Sequence, residues 1–306
     1  MRAGSSGAER EPTLSPPKAT NKAVDASAGD GEDGRVAHSE DDIEVLDGGN
    51  VSAQVLRIGR TVRKPWTRSS PAVTSLLRYL HLRGFSGSPV SYGERPAGHQ
   101  RLAYAPGTMA DRMPPMTAAE LRRLGSMIRR LHDLTAGYRA QEGTAWDSVF
   151  PPEEPEVICH YDLAPWNLVR DPQGTQVAFD TSRTRLPELW TFIDWDGAAP
   201  GTRMGDLGYA AHGFVPLHEG GAPETDGARL RALADGYGCD ADQRLELPGA
   251  ALRRVRAMFE RLEEGARTGR QPWARLHAEG HADHWGAAAD YIQRHRDPWA
   301  RMLTAP

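Results

Sequence analysis

The chain has 306 residues, 39% hydrophobic and 25% charged, a globular balance with room for a bilobal core. Its net charge of −4 is uneven: residues 1–45 hold ten acidic against five basic residues, so the rest sits near +1 and offers no electrostatic footprint for nucleic acid or an anionic membrane. No run approaches the ~20 apolar residues of a membrane span, the first 34 residues lack a signal-peptide core, and Cys159 and Cys239 have neither disulfide-framework nor metal-ligand spacing, which together point to the cytoplasm.

Residues 1–45 read as a disordered acidic tail, since Gly, Ser, Ala and Pro dominate and few large apolar side chains are present to offset the entropy of ordering. Folded structure is expected from Leu46. Val51, Val55, Leu56 and Ile58 lead into a Gly59-Arg60 turn and a second strand, Thr61 to Lys64, that Pro65 ends. Ser70 can cap a helix with Pro71 in its first turn, Val73, Leu76, Leu77 and Leu80 on its apolar face, and Gly84 after it. Leu102 to Ala105 reads as a strand running into a hinge at Pro106-Gly107. Thr117 and Glu120 make a capping box for a helix whose stripe is Leu121, Leu124, Ile128 and Leu131, ending near His132-Asp133. Residues 156–195 alternate short apolar runs with turns, and helical periodicity returns over 250–265 and 273–295.

The chemistry is concentrated in Cys159-His160-Tyr161-Asp162-Leu163-Ala164-Pro165-Trp166-Asn167. A carboxylate and an amide five positions apart on a loop suit phosphoryl transfer: one accepts or orients the proton of an attacking hydroxyl, the other offers a hard oxygen to Mg²⁺. The second carboxylate such a site needs comes at the end of an apolar strand, in Ile193-Asp194-Trp195-Asp196. Asp196 reads equally well as a further ligand or as an exposed neighbour.

His160-x-Asp162-x4-Asn167, followed by Ile193-Asp194-Trp195-Asp196 and Gly205-Asp206-Leu207, resembles the aminoglycoside phosphotransferase and choline kinase-like family, and within it a group of actinobacterial-type phosphotransferase proteins, some labelled trifolitoxin-immunity-like. The resemblance spans about residues 46–295. It implies an α+β, protein-kinase-like bilobal fold: a small β-rich N-lobe over 46–105 that binds nucleotide, and a larger, mainly helical C-lobe over 106–306 that holds the catalytic and substrate-binding groups. By position it implies Asp162 as the catalytic residue, Asn167 and Asp194 as Mg²⁺ ligands, and Lys64 on the ATP phosphates. Gly48, Gly49 and Ser52 would lie in the loop over the phosphates, Leu102, Tyr104 and Ala105 beside the adenine, and His160 and Asp206 would brace the catalytic loop. ATP and Mg²⁺ are the implied cofactors, and a small molecule with a hydroxyl group (an amino sugar, aminoglycoside or amino alcohol) the implied acceptor. A kinase-fold binding or immunity protein without catalysis is the alternative.

Three departures stand out. Tyr161 occupies a position usually held by Gly. The helix from Pro71 to Arg83 has no Asp or Glu to pair with Lys64. Asn167 and Asp194 are separated by 26 residues, so an extra loop is expected near Thr181–Glu188; Asp180 offers a metal aspartate with tighter spacing, but the Gly205-Asp206-Leu207 context follows Asp194. His277, His281 and His284 are spaced to share one helix face, read as a polar face or pocket wall rather than a metal site.

Overall fold

A computed structural model describes residues 43–46, 55–148, 150, 154–172 and 188–305. The strands β1 (Ile43–Leu46), β2 (Val55–Ile58), β3 (Thr61–Pro65), β4 (Ser91–Glu94) and β5 (His99–Ala103) form an antiparallel sheet in the order β1-β2-β3-β5-β4. The β2–β3 hairpin turns at Gly59-Arg60 with Ile58 opposite Thr61, and Gly59 takes the positive φ (56°) such a turn requires. The sheet begins at Ile43, three residues inside the expected tail. Four residues with Ile43 and Val45 exposed give no buried face, so no pattern marks the strand. The rest of the expected tail, 1–42, lies outside the described residues.

Helix α1 (Ser70–Leu82) follows with Pro71 in its first turn. Thr67 donates its backbone N–H to the Ser70 hydroxyl at 2.8 Å, so the N-cap position falls on Ser69 and not on Ser70 as expected. Its buried face, Val73, Leu76, Leu77 and Leu80, belongs to one continuous apolar cluster with Leu121, Leu124, Ile128 and Leu131 of α2 (Ala118–Ala136). The Thr117/Glu120 capping box that starts α2 is formed in both directions. The helix runs to Ala136, past the expected end, because His132 is a buried member of it.

Short strands then carry the loops of the site. Strand β6 (Thr108–Met109) pairs with β8 (Leu168–Asp171), which pairs with β9 (Leu189–Phe192), and β7 (Val157–Cys159) pairs with β10 (Ala199–Gly201). Gly107 enters β6 with φ 133°, and a Cβ there would stand 2.4 Å from the Arg170 carbonyl oxygen, so the hinge position excludes side chains. Both ends of the long connection between β8 and β9 are fastened: Arg170 pairs with Glu120 and, at 2.9 Å, with Glu188, while the Arg123 and Arg170 guanidinium groups lie 4.2 and 5.0 Å from the Trp190 ring centre. Residues 173–187, with Asp180 and most of the expected extra loop, lie outside the described residues.

The remainder is helical: α3 (Arg203–Phe214), α4 (Pro223–Tyr237), α5 (Ala241–Thr268), α6 (Trp273–Ala278) and α7 (His281–Thr304). Helices α3 and α5 approach closely where a Cβ on Gly208 would stand 2.7 Å from the backbone of Ala250 and Ala251. That contact sets α5 behind the loop after β7, where Arg254 reaches the Tyr161 carbonyl. No helix among the described residues is long and apolar enough to cross a membrane.

Candidate active site

The loop after β7 is organised by Asp206, fully buried in the first turn of α3. One carboxylate oxygen accepts the backbone N–H of Tyr161 at 2.9 Å; the other accepts that of His160 at 3.0 Å and Nε2–H of His132 at 3.2 Å. Burial alone would raise its pKa, but the His132 hydrogen bond and charge, with His160, outweigh it and hold the carboxyl below the usual range. His132 in turn meets the Tyr237 hydroxyl at 2.9 Å.

His160 is a neutral bridge. The Ile193 carbonyl can only accept, so Nε2 donates to it at 3.0 Å; the Asp162 backbone N–H can only donate, so Nδ1 accepts it at 3.3 Å. Burial lowers the imidazole pKa, against the pull of Asp206, Asp162 and Asp194. The ring therefore spans from the loop after β7 to the residue before Asp194.

Tyr161 keeps the left-handed backbone that glycine would take, with φ 67°. Several contacts hold it there. Its N–H goes to Asp206, its carbonyl accepts from Arg254 Nη2 at 3.2 Å, its hydroxyl donates to the Pro200 carbonyl at 3.0 Å, and its ring stacks on Phe150. The departure at this position thus leaves the loop geometry intact, and the side chain turns away toward β10.

Asp162 has both carboxylate oxygens engaged. Oδ1 accepts the Tyr209 hydroxyl at 2.9 Å and Oδ2 accepts Asn167 Nδ2 at 2.7 Å. Removal from water raises its pKa, opposed by His160, Tyr209 and Asn167 and reinforced by Asp194. Burial and the Asp162 charge push the Tyr209 phenol well above 10, so it remains a donor. Asn167 spends Nδ2 on Asp162, whose backbone carbonyl it also reaches at 3.1 Å, and so has Oδ1 available to a cation. Asp194 stands at the end of β9 in a left-handed conformation, φ 58°. Lys64 on β3 is buried, with Nζ 2.5 Å from Asp196 Oδ1 and 3.6 Å from Asp194 Oδ1.

The sequence-expected residues His160, Asp162, Asn167, Asp194, Asp206 and Lys64 therefore converge. Of the stretch expected beside adenine, Leu102 is buried in β5 and Tyr104 and Ala105 are half-buried. The Tyr104 N–H is spent on the Arg60 carbonyl at 3.0 Å, and its ring lies under the Arg57 guanidinium at 4.0 Å. Gly48, Gly49 and Ser52 lie outside the described residues.

Sequence reasoning missed Tyr209, Arg254 and Trp285. Tyr209 lies one turn after Asp206 on the same face of α3, a spacing that could have flagged it. Arg254 sits in the buried stripe of α5 among Leu247, Ala251 and Val255. Its guanidinium lies 3.7 Å from the Phe150 ring centre, 5.2 Å from Tyr161 and 5.1 Å from Tyr209. An arginine in an apolar stripe was the available signal. Trp285 stacks on Tyr209.

The histidines of the last two helices do not share one face. His277 is on α6 and pairs with Glu263 at 3.0 Å, and Gly280, with φ 86°, breaks the chain before His281 and His284 on α7. Among the described residues no group of three or more His, Cys, Asp or Glu could hold a metal ion by itself. His284 instead faces buried His212, ring centres 6.2 Å apart. Burial, then His284 and His218, push His212 down to about 3. Below pH ~6.5 the unfolded chain takes up a proton here that the folded chain refuses, so stability falls by about 1.4 kcal/mol per pH unit as pH drops toward 3. Urea unfolding should show about 2 kcal/mol less stability from this group at pH 5 than at pH 7, and His212→Gln should remove that part of the slope.

The sheet, the helical remainder and this loop set define a bilobal, kinase-like fold of the choline kinase and aminoglycoside phosphotransferase type. It is similar to a choline/ethanolamine kinase family protein from Mesorhizobium loti (TM-score 0.52, 17% identity, 85% of this chain and 92% of that one) and to the amicoumacin kinase hAmiN in complex with AMP-PNP, Ca²⁺ and amicoumacin (TM-score 0.55, 14% identity, 84% and 88%). No protein-family profile matches the chain. It belongs to the family of the trifolitoxin immunity protein of Rhizobium leguminosarum bv. trifolii, with 31% identity over 214 residues, 65% of this chain and 75% of that protein.

Proposed function

We propose that the chain is a cytoplasmic, ATP-dependent phosphotransferase acting on a hydroxyl of a small molecule such as an amino sugar, aminoglycoside or amino alcohol, with residues 46–105 as the nucleotide lobe and residues 106–306 as the catalytic lobe. The observation that carries this reading is that Asn167 and Asp194 act on the carboxylate of Asp162 while Lys64 reaches Asp194 and Asp196 from β3. The donor set suits Mg·ATP: Asn167 Oδ1 and the Asp194 carboxylate are hard oxygens, and Mg²⁺ is commonly held by one or two such groups plus nucleotide phosphates. When bound, Mg·ATP supplies the γ-phosphoryl group and neutralises its charge.

The chain's own residues do the rest. Lys64 offers its ammonium to the phosphates. Ala105 offers its N–H to the adenine, beside Leu102 and Tyr104. Asp162 orients the acceptor hydroxyl and accepts its proton at a carboxylate oxygen, a transfer its raised pKa favours. Tyr209 and Asn167 fix the carboxylate plane, and His160 and Asp206 fix the loop.

A second reading is an immunity protein that binds without catalysis. It is favoured by the name of the relative and by the internal hydrogen bonds that already engage both oxygens of Asp162. The test is Mg²⁺-dependent ADP formation across aminoglycosides, amino alcohols and amino sugars. Turnover stimulated by an acceptor supports the enzyme; binding of an acceptor with no ADP formed above background supports the second reading.

A further inference from the structure

The helix behind the β3 lysine carries no carboxylate, because its inner face is spent on packing: Val73, Leu76, Leu77 and Leu80 all join the cluster that runs into α2. Lys64 is nevertheless only 7% exposed, and a buried ammonium without a counter-charge is strongly disfavoured. Its counter-charge comes from the other side of the cleft. Asp196 Oδ1 is at 2.5 Å, against 3.6 Å for Asp194.

The turn that presents Asp196 is itself rigid. Trp195, 1% exposed, donates its indole N–H to the Phe192 carbonyl at 2.8 Å and packs on the His160 ring with centres 4.5 Å apart. The Ala198 N–H closes the turn onto the Trp195 carbonyl at 3.0 Å. Asp196 is thus delivered to Lys64 by the same imidazole that ties the catalytic loop to β9.

We infer that Asp196 is the positioning residue for Lys64, supplying from the loop after β9 the charge that helix α1 lacks, and that it is not a metal ligand. The inference rests on the nucleotide-binding reading above. The division of labour is geometric: Asp196 is committed to the ammonium, while Asp194, one ångström farther and on a left-handed backbone, keeps its carboxylate for the cation. Because Lys64 belongs to the sheet and Asp196 to the catalytic half, the pair also ties the two halves together at the back of the cleft.

The test is binding of a fluorescent ATP analogue to the full chain, in EDTA and in Mg²⁺, for wild type, Lys64→Met, Asp196→Ala, Lys64→Met/Asp196→Ala, Asp196→Asn and Asp194→Ala, with circular-dichroism melts as the folding control. In EDTA, Lys64→Met and Asp196→Ala should each weaken binding about ten-fold, and the double variant no further, because one interaction is being removed twice. Asp196→Asn, which keeps an acceptor oxygen, should recover part of the loss. Asp194→Ala should lose the gain from Mg²⁺. An Asp196→Ala defect seen only in Mg²⁺ would make Asp196 a metal ligand, and multiplicative losses would make the pair independent; either overturns the inference. Wild type that binds no nucleotide overturns the nucleotide reading itself, and that result is read from the wild-type measurement alone.

Discussion

Asp162→Asn should lower acceptor-dependent phosphoryl transfer by a factor of about 10² to 10⁴, the range over which a positioned proton acceptor contributes, while leaving nucleotide affinity within two-fold. The substitution keeps the volume and one acceptor oxygen, so the Tyr209 hydroxyl can still donate to the side chain. What it removes is the negative charge and the basicity of the carboxylate, which burial raises. The check is a comparison of kcat and KM for ATP in the two proteins. A fall in kcat with an unchanged KM marks a group that acts in the transition state. A variant with unaltered kcat would remove Asp162 from the chemistry.

Asp206→Ala carries the largest expected cost in stability. The carboxylate is fully buried and is the shared acceptor for the N–H groups of His160 and Tyr161 and for His132 Nε2–H. Removing it strands three buried donors, and buried pairs broken on one side cost about 3–5 kcal/mol. For a chain of this size that is a fall of roughly 10 °C in melting temperature. Tyr161 would also lose one of the contacts that hold its left-handed backbone. Differential scanning calorimetry checks the prediction; a fall of under about 2 °C would mean that the loop is held by other contacts. The direction of the Asp206 pKa adds a second signature. Its stabilisation is complete above the unfolded carboxylate pKa of ~3.9 and is lost as pH falls below it, and Asp206→Ala should lack that acid-side loss.

The parts of the site that were legible in the sequence are those built from contiguous residues. His160, Asp162 and Asn167 lie within one loop and one short turn, so their spacing alone places them together, and Asp194 follows directly from a strand. The capping box of α2 and the stripe of α1 were legible for the same reason: the interactions close within one helical turn. What was not legible depends on distant segments. Lys64 and Asp196 are 132 positions apart, and nothing in either neighbourhood names the other. Arg254 reaches Tyr161 across 93 positions, through a helix crossing that only the close approach at Gly208 permits. The three histidines illustrate the opposite error, since a periodicity of i, i+4, i+7 means a shared face only if the helix is continuous, and Gly280 interrupts it.

Tyr161 shows how a departure from a pattern can be absorbed. A position usually held by glycine carries a bulky side chain, yet the left-handed backbone angle is kept because Asp206, Arg254, Pro200 and Phe150 each hold one part of the residue. The strain of a left-handed tyrosine, of order 1–2 kcal/mol, is opposed by the hydroxyl bond to Pro200 and the ring stack on Phe150, which glycine could not make.

The most direct test of the account is the melting temperature of the full chain with and without saturating Mg·ATP. A ligand that binds only the folded state at a hundred times its Kd stabilises it by about 2.7 kcal/mol, so a rise of roughly 5 °C is predicted, reduced in Lys64→Met. An unchanged melting temperature at millimolar Mg·ATP would contradict the account, because the cleft of Lys64, Asn167 and Asp194 would then not be a nucleotide site.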